Sequence, residues 1–477
     1  IRAGFATLNE IIFALENFKN SGKEVISYLD FCGNKDYFLA SCSNKIYLNP
    51  SASAGILLTG VGTDILFYKD LLDKLGIEMQ VVHAGKFKGA GEPFTRNQIS
   101  RPFRESIENL FGDIYQQMIE KIAERREMQA AEIKRIYEER SEIFINMDNA
   151  LSKKLVDGLA FREDLFSQKG IEKENLISLE DYRLPSLKLS FNNNIAILYA
   201  QGSIAASKPD FETRISASKI NKILDKLQKD NSVKAVVIRV NSPGGSALES
   251  EIILQKIKKV REHKPVVISM GNVAASGGYY IACDSDHTLA DPFTITGSIG
   301  VVGIFPNFNK LGDKAGIYPN VIKKGKYSNL LDPWQKPDPN TMKAFENEIL
   351  DTYDEFKNRV AKGREINLNE VERIAQGRIW SSEDALQNKL IDQIGNLDDA
   401  VKKAAELADI SNYSNVYFPE QKSIIEVLLK ENFNIDILTT IKNNKINKEI
   451  GLDKAIKFYN NIKEEPIQAI ISAEMEL

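Results

Sequence analysis

Short runs of β-branched and aliphatic residues punctuate the second half of the chain: IAILYA from Ile195, KAVVIRV from Lys234 and PVVISM from Pro265. Runs of this length and composition read as buried strands. Between the last two, Ser246 with Glu249 makes a capping box. Leu248, Ile252, Ile253, Ile257 and Val260 then supply an apolar face at helical spacing. Strand, helix and strand in alternation predict an α/β unit with helices packed over a sheet. Residues 101–141 and roughly 341–377, rich in Glu, Lys and Arg with spaced apolar positions, predict two longer helical stretches that pack between units or between subunits.

The same pattern occurs twice. Residues 34–61 lie over residues 276–303 without a gap, so that Tyr37 meets Tyr279, Ala40 meets Ala282, Pro50 meets Pro292 and Gly55 meets Gly297. GIEMQVVHAGKFKGAGEPF from Gly76 aligns with GIYPNVIKKGKYSNLLDPW from Gly316, pairing Gly85 with Gly325 and Pro93 with Pro333. ALSKKLVDGL from Ala150 aligns with ALQNKLIDQI from Ala385. The chain therefore reads as two diverged copies of one unit, residues 1–180 and 181–410, followed by a mainly helical tail, 411–477. The polar, proline-bearing stretch at 170–192 is the expected linker. Because residue 1 corresponds to about residue 242, the strands and helix of residues 193–241 have no counterpart in the first copy. The first unit is expected to be incomplete at its N-terminus, with an anchor possible in the missing part.

Composition narrows the function classes. At 477 residues the chain exceeds what one core usually organises, and 43% hydrophobic with 27% charged residues is the balance of a soluble globular protein. A net charge of −4, with no basic tract, gives no reason to expect a nucleic-acid partner. Cys32, Cys42 and Cys283 are odd in number and lack CxxC spacing, which indicates neither a disulfide framework nor a thiolate metal site. No HExxH or clustered His/Cys/carboxylate set suggests a metal, and no cofactor is expected. No run of eighteen apolar residues could cross a bilayer, and the opening IRAGFATLNE lacks the basic flank and apolar centre of a signal peptide.

Two motifs carry chemistry. MGNVAASGGYYIA places Ser276 among Ala and Gly after a strand and before a helix, so its hydroxyl is approachable and a helix N-terminus beside it would favour developing negative charge. The same small residues would also suit a tight strand-to-helix crossing with no catalytic role. RVNSPGGS, residues 239–246, ends a strand in a Pro-Gly-Gly turn whose backbone N–H groups could form an oxyanion hole, with Gly245 and Gly277 as donors; a plain type II turn is the alternative. Tyr279 and Tyr280 read as packing residues. A Ser-His-Asp triad is poorly served, since the only histidines are His83, which ends a strand opposite Lys323, His263 in the polar helix-end turn REHKP, and His287, which aligns with Lys45.

SPGGS, then MGNVAASGGYY some thirty residues on, then TGSIG together resemble the signal peptide peptidase (protease IV) family, in its long duplicated form, over roughly residues 1–410. The resemblance implies an α/β fold of two tandem Clp protease/crotonase-like spiral ββα domains. It implies Ser276 as nucleophile and, from the GKFKGAGEPF motif, Lys88 as general base, with Phe87 where the family commonly has Tyr. Ser298 of TGSIG is implied as the residue that hydrogen-bonds the lysine. The repeat agrees independently: Ser276 lies over Asn34 and Lys88 over Ser328, so each copy lacks the other's catalytic group and one pooled site remains. Lysine is a base only when neutral, and its ordinary pKa of about 10.4 requires a site that desolvates it. Without the family, Lys88 would read as a solvated loop lysine like Lys86.

The resemblance further implies a serine endopeptidase that degrades remnant signal peptides on the periplasmic side of the bacterial inner membrane. It implies a ring-like homotetramer, attached to the membrane through an N-terminal anchor absent from this chain. Two rivals stand beside it: a crotonase-type acyl-CoA enzyme, whose usual acidic catalysts have no counterpart here, and a non-enzymatic membrane-associated scaffold in which the dyad is a relic.

Overall fold

The computed structural model describes residues 1–179, 181–182, 193–207, 214–325, 327–330, 332–419 and the strand 467–470. The chain is a mixed α/β protein. The first half runs α1 (Phe5–Asn20), β1 (Ile26–Leu29), α2 (Asn34–Ala40), β2 (Lys45–Leu48), α3 (Lys69–Leu75), β3 (Glu78–Ala84), α4 (Arg101–Arg125) and β4 (Gly158–Leu159). β1, β2 and β4 form a parallel three-stranded sheet.

The second half adds β5 (Asn194–Gln201) and α5 (Ala217–Lys229) before the shared pattern. That pattern continues with β6 (Val233–Ser242), β7 (Gly244–Ser246), α6 (Ala247–Arg261), β8 (Val266–Ala275), α7 (Gly277–Ala282), β9 (His287–Ala290), β10 (Ile295–Gly297) and β11 (Val301–Asn307). α8 (Asn309–Ala315), α9 (Pro339–Gly363), β12 (Ile379–Trp380), β13 (Gln393–Ile394), α10 (Leu397–Leu407), β14 (Ser414–Phe418) and β15 (Ile467–Ile470) complete it. An eight-stranded sheet runs β12-β10-β8-β6-β5-β14, with β9 on β8 and β13 on β9. Its central strands are mostly buried and largely aliphatic, as expected of parallel strands covered by helices on both faces.

The repeat is visible in three dimensions. The parallel set β1-β2-β4 matches β8-β9-β13, and α4 matches α9 at 25 residues each, both opening with proline in the first turn. Tyr37 Oη donates to the Leu155 carbonyl at 2.8 Å, and its counterpart Tyr279 donates to Leu390 at 2.9 Å. Asp157 accepts from the Ile46 N–H and Arg126, while Asp392 accepts from the Thr288 N–H and Arg364. Equivalent buried polar groups have kept equivalent partners, which is what a buried donor or acceptor requires.

Several local expectations change. The capping box is only half formed: the Ser246 hydroxyl accepts the Glu249 N–H, but the Glu249 carboxylate turns away to the Ala217 N–H. The buried face of α6 is Ser250, Ile253, Leu254, Ile257 and Val260, whereas Leu248 and Ile252 are exposed, because β8 and α7 meet the helix further round than the apolar count suggested. The Pro-Gly-Gly segment is not a plain turn. Gly244 and Gly245 belong to β7, with φ of 104° and 149°. β14 pairs with β5, so the second sheet extends to Phe418. Both described pieces of the tail, β14 and β15, are strands; the rest of the tail expected to be mainly helical lies outside the described residues, as does most of the linker's second half.

The halves share their packing. Phe5 and Phe38 from the first half enclose Phe293 from the second, with ring centroids 5.3–5.5 Å apart. Asn272 bonds both the backbone and the hydroxyl of Thr7, and Glu10 pairs with the buried Arg239 at 2.8 Å. The deepest link is β3, which lies antiparallel along β11 over seven residues, from Glu78 opposite Asn307 to Ala84 opposite Val301. That ladder delivers the loop after Ala84 into the second half.

Candidate active site

The site assembles where three chain segments stop being regular. β8 ends at Ala275 and α7 begins at Gly277, and Ser276 between them has φ 55° and ψ −117°. A non-glycine residue held there costs about 1–3 kcal/mol, so the surroundings must impose it. Its N–H donates to the Gly297 carbonyl at 2.8 Å and its carbonyl accepts from the Tyr280 N–H at 2.8 Å. The strained corner sits at a strand-to-helix junction, the setting of a nucleophile elbow. Gly278 is required by the same corner, since a Cβ there would lie 2.6 Å from the Ser242 carbonyl.

Ser298 follows Gly297 at the end of β10 and also has positive φ, 52°. Its N–H donates to Arg378 O at 2.7 Å, which turns both its hydroxyl and its carbonyl toward the cavity holding Ser276.

Lys88 arrives on the loop after β3. Its ammonium nitrogen lies 2.7 Å from Ser276 Oγ, 2.9 Å from the Ser298 carbonyl and 3.0 Å from Ser298 Oγ. The side chain is only 3% exposed. Burial without a countercharge holds its pKa well below the ordinary lysine value. A neutral amine has two hydrogens and one lone pair. With the hydrogens on the two Ser298 oxygens, the lone pair faces the Ser276 hydroxyl and can take its proton.

The residues that set the lysine loop went unnoticed in the sequence. Phe87 N–H donates to Gln376 O, and Lys86 N–H to the Gln376 side chain. Gly377 has φ 76°, and a Cβ there would lie 2.7 Å from Lys88 N and Cβ. The Arg378 guanidinium sits 3.7 Å from the Phe87 ring centroid and pairs with Glu105, tying the loop to α4. A Gly just past a short helix, in AQGRIW, was the available signal for this close approach.

β7, which carries Gly245, packs against α7, which opens with Gly277 directly after the serine. The lysine's counterpart Ser328 is exposed, and the serine's counterpart Asn34 spends its amide on Thr59 and Gly60. His83 is exposed on β3, His263 lies two residues past α6, and His287 meets Gln393. Among the described residues no group of three or more His, Cys, Asp or Glu could hold a metal ion.

Comparison with known proteins decides the family. Peptidase family S49 matches residues 17–175 and 258–411, one segment in each half. The chain belongs to peptidase family S49. Among its relatives, Protease 4 of Haemophilus influenzae is 35% identical over 455 residues, covering 90% of this chain and 73% of that protein. The chloroplastic serine protease SPPA of Arabidopsis thaliana is 31% identical, covering 96% and 68%. A putative signal peptide peptidase SppA of Enterococcus faecium is 39% identical over 198 residues, 40% of this chain and 58% of that one. The peptidase is a serine hydrolase of peptide bonds.

Proposed function

We propose that this peptidase degrades signal peptides with a Ser276/Lys88 dyad. The supporting observation is the buried, charge-free approach of Lys88 Nζ to Ser276 Oγ at 2.7 Å. Lys88 takes the hydroxyl proton as Ser276 Oγ attacks the peptide carbonyl. The N–H groups of Gly245 and Gly277 hold the resulting oxyanion, and the lysine returns the proton to the departing amine. Water, deprotonated by the same amine, then releases the acyl group. Ser298 orients the lysine through both of its oxygens. The substrate class follows the name of the Enterococcus relative. The acyl-CoA and scaffold alternatives find no favour, since the relatives named above are proteases.

The repeated elements support two tandem spiral ββα units as the architecture. They also support a head-to-tail ring of identical chains, which we take as a homotetramer. Within one chain β3 pairs with β11. Their counterparts, residues 318–324 and 59–65, form no strand among the described residues, and Tyr318 and Ile322 are 68% and 99% exposed. Pairing 318–324 of one chain with 59–65 of the next would repeat the internal ladder and close a ring. Membrane attachment at the periplasmic face of a bacterial inner membrane fits the substrate class. No helix among the described residues is long and apolar enough to cross a membrane.

The test is covalent. A serine-directed fluorophosphonate should label the wild-type chain at Ser276, and an apolar signal-peptide fragment should be cut; Ser276→Ala should abolish both. Peptide cleavage that persists undiminished in Ser276→Ala would sink the assignment.

A further inference from the structure

β7 and β11 each present two backbone edges. One edge of β7 is taken by Ile204, whose N–H donates to Gly244 O at 2.9 Å and whose carbonyl accepts from the Ser246 N–H at 2.8 Å. One edge of β11 is taken by β3. The two remaining edges face a common slot, and β15 fills it, antiparallel to both walls. Gln468 lies opposite Ser246 and Val302, Ala469 opposite Gly245, Ile470 opposite Gly244, and Ile467 opposite Gly303.

Each wall leads directly to a group of the site. β7 contains Gly245, β11 begins three residues after Ser298, and β3, behind it, ends four residues before Lys88. α7, which starts beside Ser276, packs against β15. An extended peptide paired on both sides in this slot lies along the reacting groups, the arrangement by which strand addition captures peptides through their main chain. Specificity then rests on alternate side chains, and affinity on backbone pairing that any extended segment can supply.

We infer that Ile467–Ile470 is a built-in occupant of the substrate groove: the chain's own segment binds between β7 and β11 as a substrate-like strand and competes with external peptides. The sequence suits the role. From Pro466 to Ala473, PIQAIISA is uncharged and mostly apolar with acidic residues on either side, the same chemistry as the apolar segment of a signal peptide. The stretch between Phe418 and Ile467 is long enough to reach, since an extended chain spans about 3.3 Å per residue. In the absence of substrate the strand also covers two open edges that would otherwise invite edge-to-edge association. This inference rests on the proposed dyad for the position of the groove, and not on its chemistry.

The test uses the full chain carrying Ala469→Pro, which removes an N–H and is incompatible with a centrally paired strand, and a second chain ending at Glu465. A tethered segment experiences an effective concentration of order millimolar. For a segment that binds with Kd near 0.1 mM, its release should raise kcat/KM on an apolar fluorogenic peptide by about tenfold. Amide exchange, read in the Ser276→Ala background, is independent of turnover. Protection at Gly244–Ser246 and Val301–Gly303 should fall in both variants and return when a synthetic peptide of residues 466–473 is added. Unchanged protection in both variants overturns the inference even if peptides are hydrolysed normally. Lost protection with no hydrolysis by any chain leaves the groove assignment intact and refutes the dyad instead.

Discussion

The two halves of this peptidase differ least where they are structural and most where they are chemical. Tyr37 with Leu155 repeats Tyr279 with Leu390, and the Asp157 and Asp392 carboxylates brace equivalent strands with equivalent arginines. Against that constancy, Ser276 stands where the first half has Asn34, Ser298 where it has Ile56, and Lys88 where the second half has Ser328. The lysine loop is buried against Gln376–Arg378 of the other half, while its counterpart around Gly325 and Ser328 is exposed. A lysine is made neutral by its surroundings, not by its motif: at position 328 the same side chain would be hydrated and protonated.

The largest effect that could break this contrast is at the dyad. Lys88→Ala should lower kcat/KM by about 10⁴-fold or more, since residues acting as one unit fail together. Ser328→Ala and Lys86→Ala should stay within about twofold of wild type, and Ser328→Lys should not rescue Lys88→Ala. Normal peptide turnover by Lys88→Ala would mean that the pooled site is not the working one.

Glycines test the same contrast through the backbone. Gly85 and Gly325 are equivalent and both have positive φ, yet a Cβ at Gly85 would lie 2.5 Å from the Gln376 carbonyl carbon, whereas at Gly325 nothing lies within 4 Å. Gly85→Ala should cost about 2–4 kcal/mol in denaturant melts and, by displacing the lysine, about a hundredfold in kcat/KM. Gly325→Ala should cost only about 1 kcal/mol, from its left-handed backbone. If both substitutions prove equally severe, Gly325 is packed in the assembly and its loop is an interface.

Much of this was legible beforehand. The repeat gave the relation between halves because Pro, Gly and Tyr at fixed offsets survive divergence. It also put Ser276 and Lys88 in different halves, the division that the proposed dyad requires. The contact of Lys88 with Ser276 spans 188 residues and depends on the β3–β11 ladder, which no local pattern encodes. The role of Gln376–Gly377–Arg378 was hidden for the same reason. β7 misled in a different way: glycines that signal a turn from sequence instead let a strand run within contact of Ile204, where a Cβ on Gly245 would overlap its carbonyl.

Acidity sharpens the contrast at smaller scale. Lys88 is held well below the ordinary lysine value by burial. The acidic limb of kcat/KM should therefore rise through that lowered pKa and level off well below pH 10. Ser298→Ala removes an acceptor that favours the ammonium, so the limb should move to lower pH while the plateau falls about tenfold. The folded state also binds fewer protons at this site than the unfolded chain does. Stability should climb with pH between the lowered pKa and about 10.4, and Lys88→Met should remove that slope. A Ser298→Ala limb that moves upward would show that its hydroxyl does not accept from the lysine.

The smallest expected effect asks whether the duplicated scaffold is energetically symmetric. Tyr37→Phe and Tyr279→Phe each delete a buried donor and leave the Leu155 or Leu390 carbonyl without that partner, a loss of about 1–3 kcal/mol in either half. Equal environments predict equal losses, within about 0.5 kcal/mol. Activity should not follow suit. Tyr279 lies on α7, whose first residue adjoins Ser276, and a looser α7 relaxes the strained corner that aims the nucleophile, so Tyr279→Phe should lower kcat about two- to threefold. Tyr37 lies on α2 beside Asn34, which touches no reacting group, and Tyr37→Phe should leave kcat unchanged at temperatures where the variant is folded. A matched fall in kcat would show that the halves are mechanically coupled through their shared aromatic packing at Phe5, Phe38 and Phe293, rather than one half merely presenting a lysine to the other.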